Sequence, residues 1–164
     1  MIEFTPKYIT FDCYGTLTSF GMAAMTREMF ADRIPPEQME LFVKNFASYR
    51  LNEVLGAWQP YVDVICNALE RTCKLLKIKF NQSEALSYYE AVPTWGPHAD
   101  VAAGLSKIAD KIPLVILSNA ANDQIQHNVD KLGAHFPHVY TAEQAQAYKP
   151  RLEAFEYMFD QLGC

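Results

Sequence analysis

The run IPLVILSN, residues 112–119, constrains the fold more than any other part of this sequence. From Leu114 to Leu117 every side chain is apolar. Neighbouring side chains on a strand point to opposite faces, so a strand of this kind must be covered on both faces. A parallel sheet flanked by helices gives that cover. The rest of the pattern agrees. YITFD, residues 8–12, reads as a short buried strand broken by Gly15, and HVYTAEQAQAYKP, residues 138–150, as a short strand, a capped helical turn and a loop. Helical periodicity fills the intervals at about 98–110, 121–132 and 151–163, so the chain is expected to be an α/β protein.

A long all-helical block, residues 20–92, separates the first strand from the rest. Helices are expected over 20–33 and from Pro36, where Met39, Val43 and Phe46 make an apolar stripe that Arg50 continues. GAWQP, residues 56–60, breaks that helix. Residues 61–77 form an amphipathic helix with Tyr61, Ile65, Ala68, Leu69, Thr72 and Leu76 on one side, and Asn81 with Glu84 makes a capping pair for a helix over 82–92. VPTWGPH then marks a loop back to the alternating pattern.

Composition bounds the function. A chain of 164 residues can bury about two-thirds of its unfolded surface as one core. The net charge of −5, without a basic block, argues against nucleic acid as a partner, and an anionic ligand would need a local cluster of Lys or Arg. No apolar run approaches the ~18 residues of a membrane span and no secretory pattern opens the chain, so it reads as cytoplasmic with no membrane partner. The four cysteines fit: Cys66 and Cys73 stand two helical turns apart, about 10 Å, too far for a disulfide. No Cys/His pairing suggests zinc.

Three polar clusters share one topological address. Asp12 ends the first strand, Ser118 and Asn119 end the second, and Lys149 lies in the loop after the third. Ligands of open parallel sheets bind beyond the carboxyl ends of the strands. Each member has a plain structural reading: Asp12 as a cap, Ser118 and Asn119 as caps of the next helix, Lys149 as a solvated lysine. Their meeting at one rim is what points to chemistry.

The segments FDCYGTL (11–17), ILSNA (116–120) and YKP (148–150) resemble the first three motifs of the haloacid dehalogenase superfamily, in order along the whole chain, and within it the L-2-haloacid dehalogenase-like, or type II, branch. The resemblance implies a Rossmann-like parallel sheet core, residues 1–18 and 93–164, with a helical cap, residues 19–92, inserted after the first strand. It implies that Asp12 displaces halide from the α-carbon of a small 2-haloacid with inversion, and that water then hydrolyses the Asp12 ester to release a 2-hydroxy acid. Lys149 would pair with Asp12, Thr16 and the Gly15 turn would orient it, and Ser118 and Asn119 would bind the substrate carboxylate or the halide. Phosphatases of the superfamily carry a second aspartate where Tyr14 stands here. A leaving halide needs no proton, so Tyr14 is free to pack on the substrate or hydrogen-bond at the site, and no metal or cofactor is expected.

Departures from the pattern set further expectations. Arg50 is the one cap residue placed to hold halide, the alternative being a snorkelling or salt-bridged arginine. Phe155 stands where dehalogenases of the branch have a tyrosine. Trp58 and Trp95 either line the pocket or pack in the core. No residue takes the family's fourth, acidic motif, and the first strand is left with an unpaired edge. A chain of this length is therefore expected either to form a homodimer or to be a piece of a longer enzyme. The competing functions are a Mg²⁺-dependent phosphatase of the same superfamily and a catalytically degenerate module that binds a small carboxylate or a protein.

Overall fold

The computed structural model describes residues 5–164. Three strands, β1 (Ile9–Phe11), β2 (Leu114–Ser118) and β3 (His138–Thr141), form a parallel sheet in the order β1-β2-β3. Phe11 lies beside Ile116, and Ser118 beside Thr141, so the three strands end at one level. β1 pairs on one side only among the described residues.

All five residues of β2 are buried, and their alternation divides the core. Leu114 and Ile116 pack with Leu17, Val101, Leu105, Ile125 and Leu132 on one face. Val115 and Leu117 pack with Tyr140 and Met158 on the other. The first face is covered by α5 (Val101–Leu105) and α6 (Asn122–Val129), the second by α8 (Leu152–Leu162). The short helix α7 (Ala142–Ala145) follows β3 and opens on a capping box, in which Gln144 N–H donates to Thr141 Oγ1 and Thr141 N–H to Gln144 Oε1.

The helical block builds a core of its own. Helices α1 (Met22–Met29), α2 (Pro36–Leu55), α3 (Tyr61–Leu75) and α4 (Gln82–Ala91), with a 3₁₀ turn at Val92–Thr94, bury Phe30, Phe42, Phe46, Ile65, Leu69 and Tyr88 together. Prolines set the starts of α2 and α3, with Pro36 in the first turn of α2 and Pro60 just ahead of Tyr61. Buried hydroxyls are satisfied locally: Tyr88 donates to Thr26 Oγ1 at 2.8 Å, and Thr26 to Met22 O at 2.8 Å. No helix among the described residues is long and apolar enough to cross a membrane.

Several elements differ from the sequence expectation. The helix expected over 20–33 is confined to Met22–Met29, because the chain tightens into turns that bury Ile34 against Phe30. The helix expected over 98–110 holds only from Val101 to Leu105. His98 N–H is drawn to Leu17 O at 3.1 Å, Gly104 weakens the helix interior, and the segment to Ile112 continues as overlapping turns. The stripe of α2 buries Met39, Phe42 and Phe46, with Val43 only half-buried. Asn81 caps α4 by accepting from Ser83 N–H, but Glu84 pairs with Arg33 at 2.8 Å instead of returning to the cap.

The two crossings between sheet and helical block run side by side. Ser19 N–H donates to Gly96 O, and Trp95 packs edge-on to Phe20 at 5.2 Å. A Cβ at Gly21 would lie 2.6 Å from Trp95 Nε1, so only glycine allows this approach.

All four cysteines are free thiols. Burial pushes Cys13 and Cys73 up to about 11, from an ordinary 9.0, and Tyr88 up to about 12. The folded chain therefore keeps protons that the unfolded chain releases, so these groups cost stability as pH rises above about 9. Urea unfolding at about pH 7.5 and about pH 10 is expected to show a lower midpoint at the alkaline value; an equal or higher midpoint would contradict it.

Candidate active site

The floor of the site forms where the strands end. Asp12 leaves β1 directly into a turn held by Gly15 at φ +82°, whose N–H donates to Thr18 O at 2.7 Å. Thr16, Leu17 and Thr18 all send their N–H groups back to Cys13 O. This winding brings Thr16 Oγ1 to 3.3 Å from Asp12 Oδ2. Lys149 arrives from the loop after α7 and places Nζ 2.8 Å from Asp12 Oδ1 and 2.5 Å from Leu117 O. Asn119 secures that loop from below: Lys149 N–H donates to Asn119 Oδ1 at 2.7 Å, and Asn119 Nδ2 donates to Lys149 O at 3.0 Å. Asn119 lines the cavity as well, but its oxygen and one of its N–H groups are taken by the Lys149 main chain.

A cavity of about 360 Å³ lies above this floor. Asp12, Ser118, Asn119 and Lys149 meet there with Tyr14 and Phe20 from the first crossing, Ala47, Arg50, Leu51 and Val54 from α2, and Tyr61 from the start of α3. Its charged residues are Asp12, Lys149 and Arg50, so the cavity carries a local excess of one positive charge in a chain of net charge −5. Two buried polar atoms on its lining residues, Arg50 Nε and Ser118 Oγ, have no hydrogen-bond partner among the described residues. Arg50 lies over the rings of Phe46 at 4.9 Å and Phe20 at 5.2 Å, and it joins none of the ion pairs found among the described residues. Of the two expectations for Arg50, a halide-holding residue or a snorkelling or salt-bridged arginine, the structure shows that it lines the cavity and forms none of these ion pairs. Burial pushes the Tyr61 phenol up, with the Arg50 charge opposing that shift.

Tyr14 contributes its ring to the wall while its hydroxyl points elsewhere. It donates to Asn128 Oδ1 at 2.8 Å, and Asn128 Nδ2 donates in turn to Val92 O and Trp95 O, both at 2.9 Å. Burial pushes the phenol well above its ordinary range, so it remains neutral. Asn128 was missed in the sequence. Its signal was a polar side chain, with Gln124, on the same stripe of α6 as Ile125 and Val129. Neither tryptophan lines the cavity: Trp95 packs against Tyr14 and Phe20 at the crossing, and Trp58 packs with Val64 and Tyr148. Phe155 lies with Phe11, Leu117 and Met158 in a smaller cavity, about 90 Å³, that shares Asp12 and Lys149. Among the described residues no three His, Cys, Asp or Glu side chains cluster so as to hold a metal ion.

A family model described as haloacid dehalogenase-like hydrolase matches residues 6–164. Haloacetate dehalogenase H-2 of Moraxella sp. (strain B) is 26% identical over 155 residues, which cover 90% of this chain and 68% of that one. (S)-2-haloacid dehalogenase H-109 of Pseudomonas putida is 25% identical over 146 residues, covering 87% of this chain and 65% of that one. The solved structure of L-2-haloacid dehalogenase from Xanthobacter autotrophicus superposes with a TM-score of 0.79 at 23% identity, over 98% of this chain and 66% of that one. The chain thus spans about two-thirds of the length of these proteins, and the superposition shows a shared fold.

Removing the Asn128 amide tests the wall of the site. Asn128→Ala leaves the Tyr14 hydroxyl and the Val92 and Trp95 carbonyls without their partner, and is expected to cost about 2–4 kcal/mol in urea unfolding. A loss below about 0.5 kcal/mol, the scale of an ordinary surface change, would show that the network does not hold the wall.

Proposed function

The chain belongs to the haloacid dehalogenase-like hydrolases, and we propose that it hydrolyses the carbon–halogen bond of small 2-haloacids by way of an ester on Asp12. The observation that carries this reading is the meeting of Asp12, Lys149, Arg50 and Ser118 in one cavity with a local excess of positive charge. A small anion with a carboxylate and a halogen would complement that charge. The dehalogenases among its relatives support the same reading.

In the proposed reaction a carboxylate oxygen of Asp12 attacks the α-carbon from the side opposite the halogen. The new C–O bond forms as the carbon–halogen bond breaks, and the halide leaves with the bonding electrons toward Arg50. Lys149 and Thr16 hold the carboxylate in line. Ser118 donates to the substrate carboxylate. Water then attacks the Asp12 carboxyl carbon, the acyl C–O bond breaks, and the 2-hydroxy acid leaves. Asp12 returns as a carboxylate with one oxygen from water, and one proton passes to solvent.

Tyr14 favours halide over phosphate ester as the leaving group. An alkoxide needs a proton as it departs, whereas the Tyr14 hydroxyl is committed to Asn128 and its phenol is held neutral. The helical block, residues 19–92, acts in this reading as a cap on a core of residues 1–18 and 93–164. Its separate hydrophobic cluster supports that division.

Halide release from a panel of 2-haloacids tests the proposal, with turnover expected to be unaffected by a chelator. Asp12→Asn should abolish release without lowering the melting temperature, and in ¹⁸O-labelled water a single turnover should put label into Asp12 before product. Phosphate release that requires Mg²⁺, with no halide release, would overturn the assignment. Arg50→Ala is expected to raise KM about tenfold, equivalent to about 1.4 kcal/mol, with Arg50→Lys intermediate. An unchanged KM would remove Arg50 from the site.

A further inference from the structure

The helical block touches the sheet domain at two places. One is the pair of covalent crossings, reinforced by α6. The other lies at the far end of α2 and involves no chain connection. There Arg151 donates from one guanidinium nitrogen to Leu55 O at 2.8 Å and Gly56 O at 2.5 Å, and the Tyr148 hydroxyl donates to Gln59 O at 2.8 Å. The last carbonyls of a helix have no intrahelical partner, and a cation there also complements the helix dipole. Gly56 N–H caps Glu53 O from within the chain, and the sheet domain supplies partners for the carbonyls of Leu55 and Gly56 that follow. The buried Tyr148 ring packs in the same cluster as Trp58, Val54 and Tyr61, so this contact continues into the cavity wall.

The two donors flank Lys149 in sequence, and the helix they hold carries Arg50. One short stretch of main chain therefore bears the partner of Asp12 and the anchor of the roof. We propose that Tyr148 and Arg151 are positioning residues that dock the end of α2 on the Lys149 loop and so fix Arg50 at its height above Asp12. No chain connection joins this end of α2 to the sheet domain directly. Its register with the floor rests on three hydrogen bonds and on the packing of Tyr148 and Ala142 in the cluster around Val64. The consequence for substrate choice rests on the dehalogenase reading; the docking itself does not.

Tyr148→Phe keeps the ring and removes one bond, and Arg151→Gln removes the charge and shortens the reach. Amide hydrogen exchange over residues 55–59 is expected to quicken about fivefold in each variant and further in the double variant, with Arg151→Lys restoring part of the protection. For a 2-haloacid that the wild type turns over, each variant is expected to raise KM about fivefold. In an Arg50→Ala background the same substitutions should change KM less than twofold, because the group they position is gone. Unchanged exchange would overturn the docking. Faster exchange with unchanged KM, or full additivity with Arg50→Ala, would overturn the positioning role. If the wild type releases no halide, the dehalogenase reading fails and the exchange measurement alone decides: faster exchange supports the docking and unchanged exchange overturns it.

Discussion

The ion pair between Asp12 and Lys149 is the contact on which the rest of the site depends. Its members are 137 residues apart in sequence and 2.8 Å apart in space. Asp12 is more than a third exposed, and an exposed pair of this kind adds only about 0–1 kcal/mol to stability. The folded chain therefore places the pair more than the pair holds the chain. Parallel register sets β1 and β2 level, the Gly15 turn stops Asp12 at the rim, and the Asn119 clamp sets the lysine loop at the right depth. Leu117 O takes a further N–H of the ammonium, so the cation is fixed from two directions. A carboxylate held in this way has lost much of its freedom to rotate before any ligand arrives.

Position 14 shows how a wall residue is made unreactive. A phenol beside a carboxylate is a ready proton donor only if its hydroxyl is free and its proton is loosely held. Here the hydroxyl is turned 114 residues along the sequence to Asn128, which also ties down Val92 and Trp95. Burial then raises the phenol further from ionisation. The same side chain gives the cavity an aromatic wall and links the strand-end turn to the crossing into the helical block.

The sheet was legible in the sequence because its constraint is local: four successive apolar side chains on β2 need two covered faces, and both faces are covered. The meeting of Asp12, Ser118 and Lys149 was legible because parallel topology sends strand ends to one rim whatever lies between them. Helix limits were less so. Residues 98–110 have the apolar spacing of a helix, but a loop hydrogen bond at His98 and the glycine at 104 cut it to one turn and a half. Asn119 could not be resolved by pattern either. An amide at a strand end looks the same whether its partner is a ligand or the main chain of Lys149. Arg50 stood out only as a break in an apolar stripe; that it lines the cavity follows from the tertiary placement of α2, which no local rule encodes.

The helical block answers an electrostatic need that the sheet alone cannot meet. Asp12 and Lys149 cancel, so the floor by itself offers a small anion no net attraction. The third charge comes from α2, where Arg50 rests on the rings of Phe20 and Phe46 with its Nε buried and unpaired. Aromatic faces stabilise a guanidinium without neutralising its charge, so the cation is held in place with its charge intact. A carboxylate neighbour would have neutralised it, and open solvent would have screened it. Charge of this kind is most effective where water is scarce, and the low-dielectric walls are Tyr14, Phe20, Leu51, Val54 and Tyr61. The roof that carries this charge also carries most of the apolar wall. Moving it away from the floor would separate the charge and the apolar wall from Asp12 and Lys149 together.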